Sequence, residues 1–201
     1  MNEVINLVLG AFLLLQAGTV NEKVGDWSQV NRYLKARFVA RFHTFSLDYT
    51  SDGPYSEFRV YLELSNTVPH NGTAQIKVNI DTTRDITYRV VDQDGKEILP
   101  RPTFRSTVHP GVLHLLIPAD SSIRFPVTVN GGGVLADQTS LDVMQQHRNP
   151  PGGIWRFDAS KPAEYQLAGA LRIERPPNAT DVSQWYGEIM IPPVTLVIPG
   201  R

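Results

Sequence analysis

The stretch Glu57-Phe58-Arg59-Val60-Tyr61-Leu62-Glu63-Leu64-Ser65 constrains this chain more than any other. Phe58, Val60, Leu62 and Leu64 take every second position, and Glu57, Arg59, Tyr61, Glu63 and Ser65 fill the gaps. A helix would scatter the four apolar groups around its axis, whereas a strand collects them on one face. The segment reads as a strand of a half-buried antiparallel sheet, with its other face in water.

The same period of two recurs along the chain. Phe38, Ala40 and Phe42 share one parity and Phe45, Leu47 and Tyr49 the other, so a bulge near His43-Thr44 is expected to bring both sets to one face. Ile76/Val78/Ile80 and Ile86/Tyr88/Val90 repeat the alternation, and Asp94-Gly95 supplies the positive φ of a tight hairpin. Val112 to Ile117 and Ser122 to Val129 are the next strands. Pro126 cannot donate to a ladder, which places its strand at an edge or a bulge. Residues 130–153 read as an irregular region, with Gly131 to Gly133 a flexible turn and Ser140 capping a short helix over Leu141 to His147. Strands return at Ile154 to Phe157, Tyr165 to Ile173 and Glu188 to Ile198. Eight or nine short strands with turn signals between them predict an all-β chain, an antiparallel two-sheet β-sandwich with an apolar N-terminal segment.

One local pattern resembles a known architecture. In Asp158…Pro162-Ala163-Glu164-Tyr165-Gln166-Leu167, a tyrosine enters a late strand directly after a turn. This resembles the tyrosine corner of immunoglobulin-like and fibronectin type III-like sandwiches. The resemblance covers about ten residues and the strand count of 37–198. The chain has no cysteine, so the Cys…Trp…Cys signature of true immunoglobulin domains is absent. The resemblance implies architecture alone, and architecture of this kind carries no function.

The 201 residues show no repeat, low-complexity tract or charged linker, and are read as one domain over 37–201 preceded by a linker or loop over 19–36. Residues 1–18 contain the apolar run Val4 to Leu15, which is shorter than the ~20 residues of a membrane span. Its length suits a signal peptide with Ala17 and Gly18 after it, the favoured reading, with a docking helix as the alternative. A formal net charge of −1 gives no field to favour nucleic acid.

No motif for catalysis stands out. His43, His70, His109, His114 and His147 lack metal-ligand spacing, and no G-x-S-x-G occurs. Asp92-Gln93-Asp94-Gly95 begins like a calcium loop but lacks the later ligands. Glu57 and Glu63 would lie roughly 20 Å apart along a strand, too far for a catalytic pair and suited to a solvated face. The expectation is no catalytic residue, no metal and no cofactor. Exposed aromatics are the binding candidates: Trp185 and Tyr186 before the last strand, and Tyr61 pointing outward. Trp155 with Phe157 is read as core. Asn71-Gly72-Thr73 and Asn178-Ala179-Thr180 match the glycosylation acceptor pattern.

These readings favour a secreted or periplasmic, non-catalytic module that binds a protein or glycan. The alternative is an assembly subunit of a surface layer, filament or capsid that docks through its N-terminal run. An uncharacterised hydrolase ranks third.

Overall fold

The computed structural model describes residues 20–46, 54–69, 74–82, 84–102, 112–127, 132–134, 140–148, 151–158, 162–181 and 183–198. The apolar run at Val4 to Leu15, His70, His109 and the sequon at Asn71 lie outside them. Among the described residues there are fourteen strands and no helix. They are β1 (Val20–Val24), β2 (Leu34–Ser46), β3 (Pro54–Asn66), β4 (Ile76–Ile80), β5 (Ile86–Asp92), β6 (Glu97–Ile98) and β7 (Arg101–Pro102). β8 (Leu113–Ile117), β9 (Ser122–Pro126), β10 (Gly132–Val134), β11 (Ser140–Arg148), β12 (Pro151–Asp158), β13 (Ala163–Ile173) and β14 (Gly187–Ile198) complete them.

All the ladders between these strands are antiparallel. One large sheet runs β1-β2-β3, with β9 and β10 sharing the far edge of β3; the other runs β14-β13-β5-β6. Two smaller sheets, β11-β12-β7 and β4-β8, flank them. The two larger sheets face each other as an antiparallel sandwich. Phe38, Val60, Leu62 and Leu64 from one and Val90, Leu171, Ile191 and Leu196 from the other lie in a single buried cluster. Trp155 and Phe157 of β12 join that cluster and confirm their core assignment.

The stretch around Leu62 is the middle of this fold. Val60, Leu62 and Leu64 are fully buried on the inner face of β3, each a side chain worth about 1.5–3 kcal/mol of burial. Phe38 stacks on Tyr88 at 5.7 Å, and Tyr88 meets Trp155 edge-on at 6.3 Å, so aromatic contacts run from β2 through β5 to β12. The Trp155 indole donates to the Ile98 carbonyl at 2.8 Å, satisfying its one polar group.

Several expectations meet corrections. The outer face of β3 is not all wet: Glu63 is 9% exposed. β3 has neighbours on both sides, and Arg37 and Arg124 reach its carboxylate at 3.0 and 3.1 Å. Arg124 also bonds Glu22 of β1 at 3.1 Å, while Arg37 and Lys35 lie over the Trp27 ring. Burial alone would push the Glu63 carboxyl up, but the two guanidiniums hold it below the usual range. Its contribution to stability is therefore present at neutral pH and lost as acid protonates it.

No bulge interrupts β2, whose register with β3 runs unbroken from Leu34↔Asn66 to Ser46↔Pro54. Leu47 and Tyr49, the rest of the second set, lie outside the described residues. Residues 19–36 are not wholly loop, because β1 and the start of β2 fall there, and Leu34 and Ala36 are buried. The helix over Leu141 to His147 is instead β11, in a hairpin with β12, and Gly132 and Gly133 pair with β3. Cross-strand partners decided both segments over local propensity. Pro126 does lie in an edge strand: β9 pairs with β3, and Val127 donates to the Val60 carbonyl just past the proline. The Asp92–Gly95 turn closes β5 onto β6, with Gly95 at φ 78°.

Gly169 sits where β13 crosses beneath Phe38. A Cβ there would strike the Thr87 carbonyl oxygen and come 3.0 Å from the Phe38 ring. Gly169→Ala should therefore cost about 2–3 kcal/mol, whereas Gly95→Ala, which meets open space but keeps a positive φ, should cost about 1 kcal/mol. Urea unfolding of both variants checks this; equal losses would contradict the tight packing of Gly169 against Thr87 and Phe38.

Candidate functional site

Three residues before β2, the chain makes a tight turn that few sequences adopt. Asn31 N–H donates to the Leu34 carbonyl at 2.8 Å and Leu34 N–H returns the bond at 3.0 Å. The two residues between them, Arg32 and Tyr33, both have positive φ, 48° and 65°. Such a turn favours Asn-Gly, because a Cβ crowds the backbone there. Two bulky residues in this conformation store of order 1–3 kcal/mol each.

Surrounding bonds hold the turn in place. The Trp185 indole donates to the Asn31 carbonyl at 3.0 Å. Asn31 Nδ2 donates to the Glu188 carbonyl at 2.7 Å, and Arg32 Nη1 to the Tyr186 carbonyl at 3.1 Å. Thr67 donates both its N–H and its hydroxyl to the Tyr33 carbonyl, at 2.7 and 3.0 Å. Gly187, at φ 155°, lies flat against Trp185, and a Cβ would come 3.1 Å from the indole.

The segment that delivers Trp185 is fastened to β4. Lys77 N–H donates to the Ser183 carbonyl and Trp185 N–H to the Lys77 carbonyl. Asp181 braces the bend: it accepts from the Ser183 hydroxyl at 2.6 Å, the Ser183 N–H at 2.9 Å and Lys77 Nζ at 3.0 Å. Those bonds, Ser183 first, lower the Asp181 pKa to about 2.

Between the turn and the β13–β14 hairpin lies an open cleft of about 520 Å³. Its lining includes Arg32, Arg172, Arg175, Ile173 and Tyr186, with Glu174 and Glu188 at hand. Arg172 is ion-paired to Glu174 at 3.2 Å and stands opposite Glu188 in the ladder. Arg32 and Arg175 have no carboxylate partner among the described residues. Each spends one N–H on a backbone carbonyl, Arg175 on Ala179 at 3.3 Å. The remaining donors of both forks have no partner among the described residues.

The sequence candidates separate here. Trp185 is 4% exposed and belongs to the core, not to a surface platform, because its indole found a carbonyl inside. Tyr186 lines the cleft, half-buried. Tyr61 is half-buried on the outer face of β3, in register with Val39 and Pro126, whereas Trp185 and Tyr186 lie in the segment just before β14. Sequence reading missed Arg32, Tyr33, Arg172 and Arg175; the cleft joins residues about 140 apart in the chain, and no local pattern links them. His114 is exposed beside Asn79, its Nδ1 2.9 Å from Oδ1. Among the described residues no three His, Asp or Glu side chains gather as a metal group, and no helix is long and apolar enough to cross a membrane.

Comparison with known protein families, with curated proteins and with solved structures finds no match. The site's own geometry is therefore what defines its class: an open cleft with guanidinium donors beside an aromatic ring, on an all-β scaffold.

Asp181 gives a direct check on the brace. Its folded pKa is depressed, so its contribution exists above the unfolded value of 3.8 and disappears as pH falls toward 2. Carboxyl NMR titration should show a midpoint near 2 that rises in Ser183→Ala. An ordinary midpoint in the wild type would mean that the bend is not formed.

Proposed function

We propose that the protein is an exported, non-catalytic β-sandwich module that binds another macromolecule through the Arg32–Tyr33 turn and the cleft beside it. The observation that carries this reading is the pair of bulky residues held at positive φ on an exposed turn, with Tyr33 58% exposed. Strain of this kind persists where the surroundings fix it, and it concentrates at binding sites. Asn-Gly at the same positions would relieve it, yet the chain has Arg-Tyr.

Further support comes from the strand order. β2-β3-β9 opposite β5-β13-β14 is compatible with the A-B-E and C-F-G sets of an immunoglobulin-like sandwich, with β1, β6 and β10 added at the edges. Modules of that architecture carry their contacts at loops and turns. The apolar run before Ala17 supports export, and mass spectrometry of the mature protein should find its first residue close after Ala17.

The double variant Arg32→Asn/Tyr33→Gly should unfold at higher urea, by about 1–2 kcal/mol, since the replacement suits the turn. Binding is tested in the producing cells with a photo-crosslinking benzoylphenylalanine at position 33 and, as control, at the exposed Leu116 of β8. A discrete adduct from position 33 alone is expected. No adduct, or the same adducts from both positions, overturns the reading.

A further inference from the structure

The cleft's donors define the chemistry of a ligand, given that the turn and cleft are a binding surface as proposed above. We infer that the cleft takes the acidic group of a glycan: a carboxylate or sulfate held by Arg32 and Arg175, with the sugar ring against Tyr186.

The anion is favoured by charge. Arg32 and Arg175 line one cleft without a carboxylate partner among the described residues, and each is aimed by a bond to a backbone carbonyl. A guanidinium steadied by one N–H presents the rest of its planar fork at fixed orientation, which suits paired oxyanion oxygens. The neighbouring Arg172 is already satisfied by Glu174. Glu174 and Glu188 limit the positive field, so the site suits one acidic group at a time rather than a dense polyanion.

The glycan is favoured by what the site denies a peptide. An extended peptide gains most from a free strand edge. Here β13 is paired on both sides, by β14 and β5. The carbonyls of Tyr186 and Glu188, at the start of β14, already accept from Arg32 and Asn31. β14 is the edge strand of its sheet, but at its cleft end those two carbonyls are already taken, which leaves a peptide little ladder to extend. There remain an aromatic ring, an apolar floor at Ile173 and guanidinium donors in an open space of about 520 Å³, inside the ~300–1,000 Å³ range of compact ligand sites. A ring with apolar C–H faces and one acidic substituent uses all three.

The test is calorimetric titration of the whole chain at low salt with hexasaccharides of galacturonate, alginate and chondroitin sulfate. Maltohexaose serves as the neutral sugar and hexaglutamate as the acidic peptide. Saturable binding of at least one acidic sugar is expected, roughly tenfold or more tighter than maltohexaose or hexaglutamate. Galacturonate and alginate against chondroitin sulfate separate carboxylate from sulfate. Arg175→Gln, which leaves the Arg32 bond to Tyr186 intact, should weaken binding by about tenfold with an unchanged urea midpoint; Arg32→Gln should weaken it by as much, with a lower urea midpoint because its bond to the Tyr186 carbonyl is lost. Arg41→Gln, on the outer face of β2, should not weaken it. Failure of every acidic sugar at millimolar concentration, equal binding of hexaglutamate, or wild-type affinity in both cleft variants overturns the assignment. If position 33 cross-links to a protein, the binding reading survives and the glycan assignment falls.

Discussion

The fold depends on one close approach: the Phe38 ring pressed onto a glycine across the sandwich. Phe38 is fully buried, stacked on Tyr88, and its ring edge lies 3.0 Å from where a Cβ of Gly169 would stand. That contact is one of the points where the two larger sheets come closest. The alternating side chains of β3 lie in one buried cluster with those of β13 and β14, and residues of the smaller sheets join it. The register of β13 shifts between Leu167 and Gly169, so the irregular step in the strand falls beside the tightest contact.

The same packing creates the cleft. Trp185 is buried because the chain between β13 and β14 is strapped onto β4, and its indole reaches out of the core to the Asn31 carbonyl. Core packing on one side of that ring thus becomes turn geometry on the other. Arg32 and Tyr33 stay in a backbone conformation they would not choose alone. The proposed binding surface is therefore an extension of the interior, not a loop added to it. This is the arrangement that preorganised recognition needs.

Period-two patterns made most of the strands legible in sequence. Ile76/Val78/Ile80 and Val60/Leu62/Leu64 announced their faces, and Asp94-Gly95 and Pro126 announced a hairpin and an edge. Partners distant in the chain decided the parts that stayed hidden. Ser140 to Arg148 reads locally like a capped helix, but β12 pairs with it. Glu63 reads as solvated until Arg37 and Arg124 close on it from neighbouring strands. Trp185 beside a polar loop reads as exposed until Asn31 supplies an acceptor inside. Of the site, only Tyr186 was visible in advance; the arginines came from two places, the turn before β2 and the end of β13, that only the fold brings together.

The exchange of the three indole N–H protons, followed by NMR in deuterated water, tests the central claim most directly. Trp185 and Trp155 are buried and bonded to backbone carbonyls, while Trp27 lies half-exposed beside Lys35 and Arg37. If Trp185 ties the turn to the core, its proton exchanges as slowly as that of Trp155, through opening of the whole domain, and Trp27 exchanges fast. Exchange of Trp185 at the rate of Trp27 would mean that the turn is not anchored, and would contradict the account.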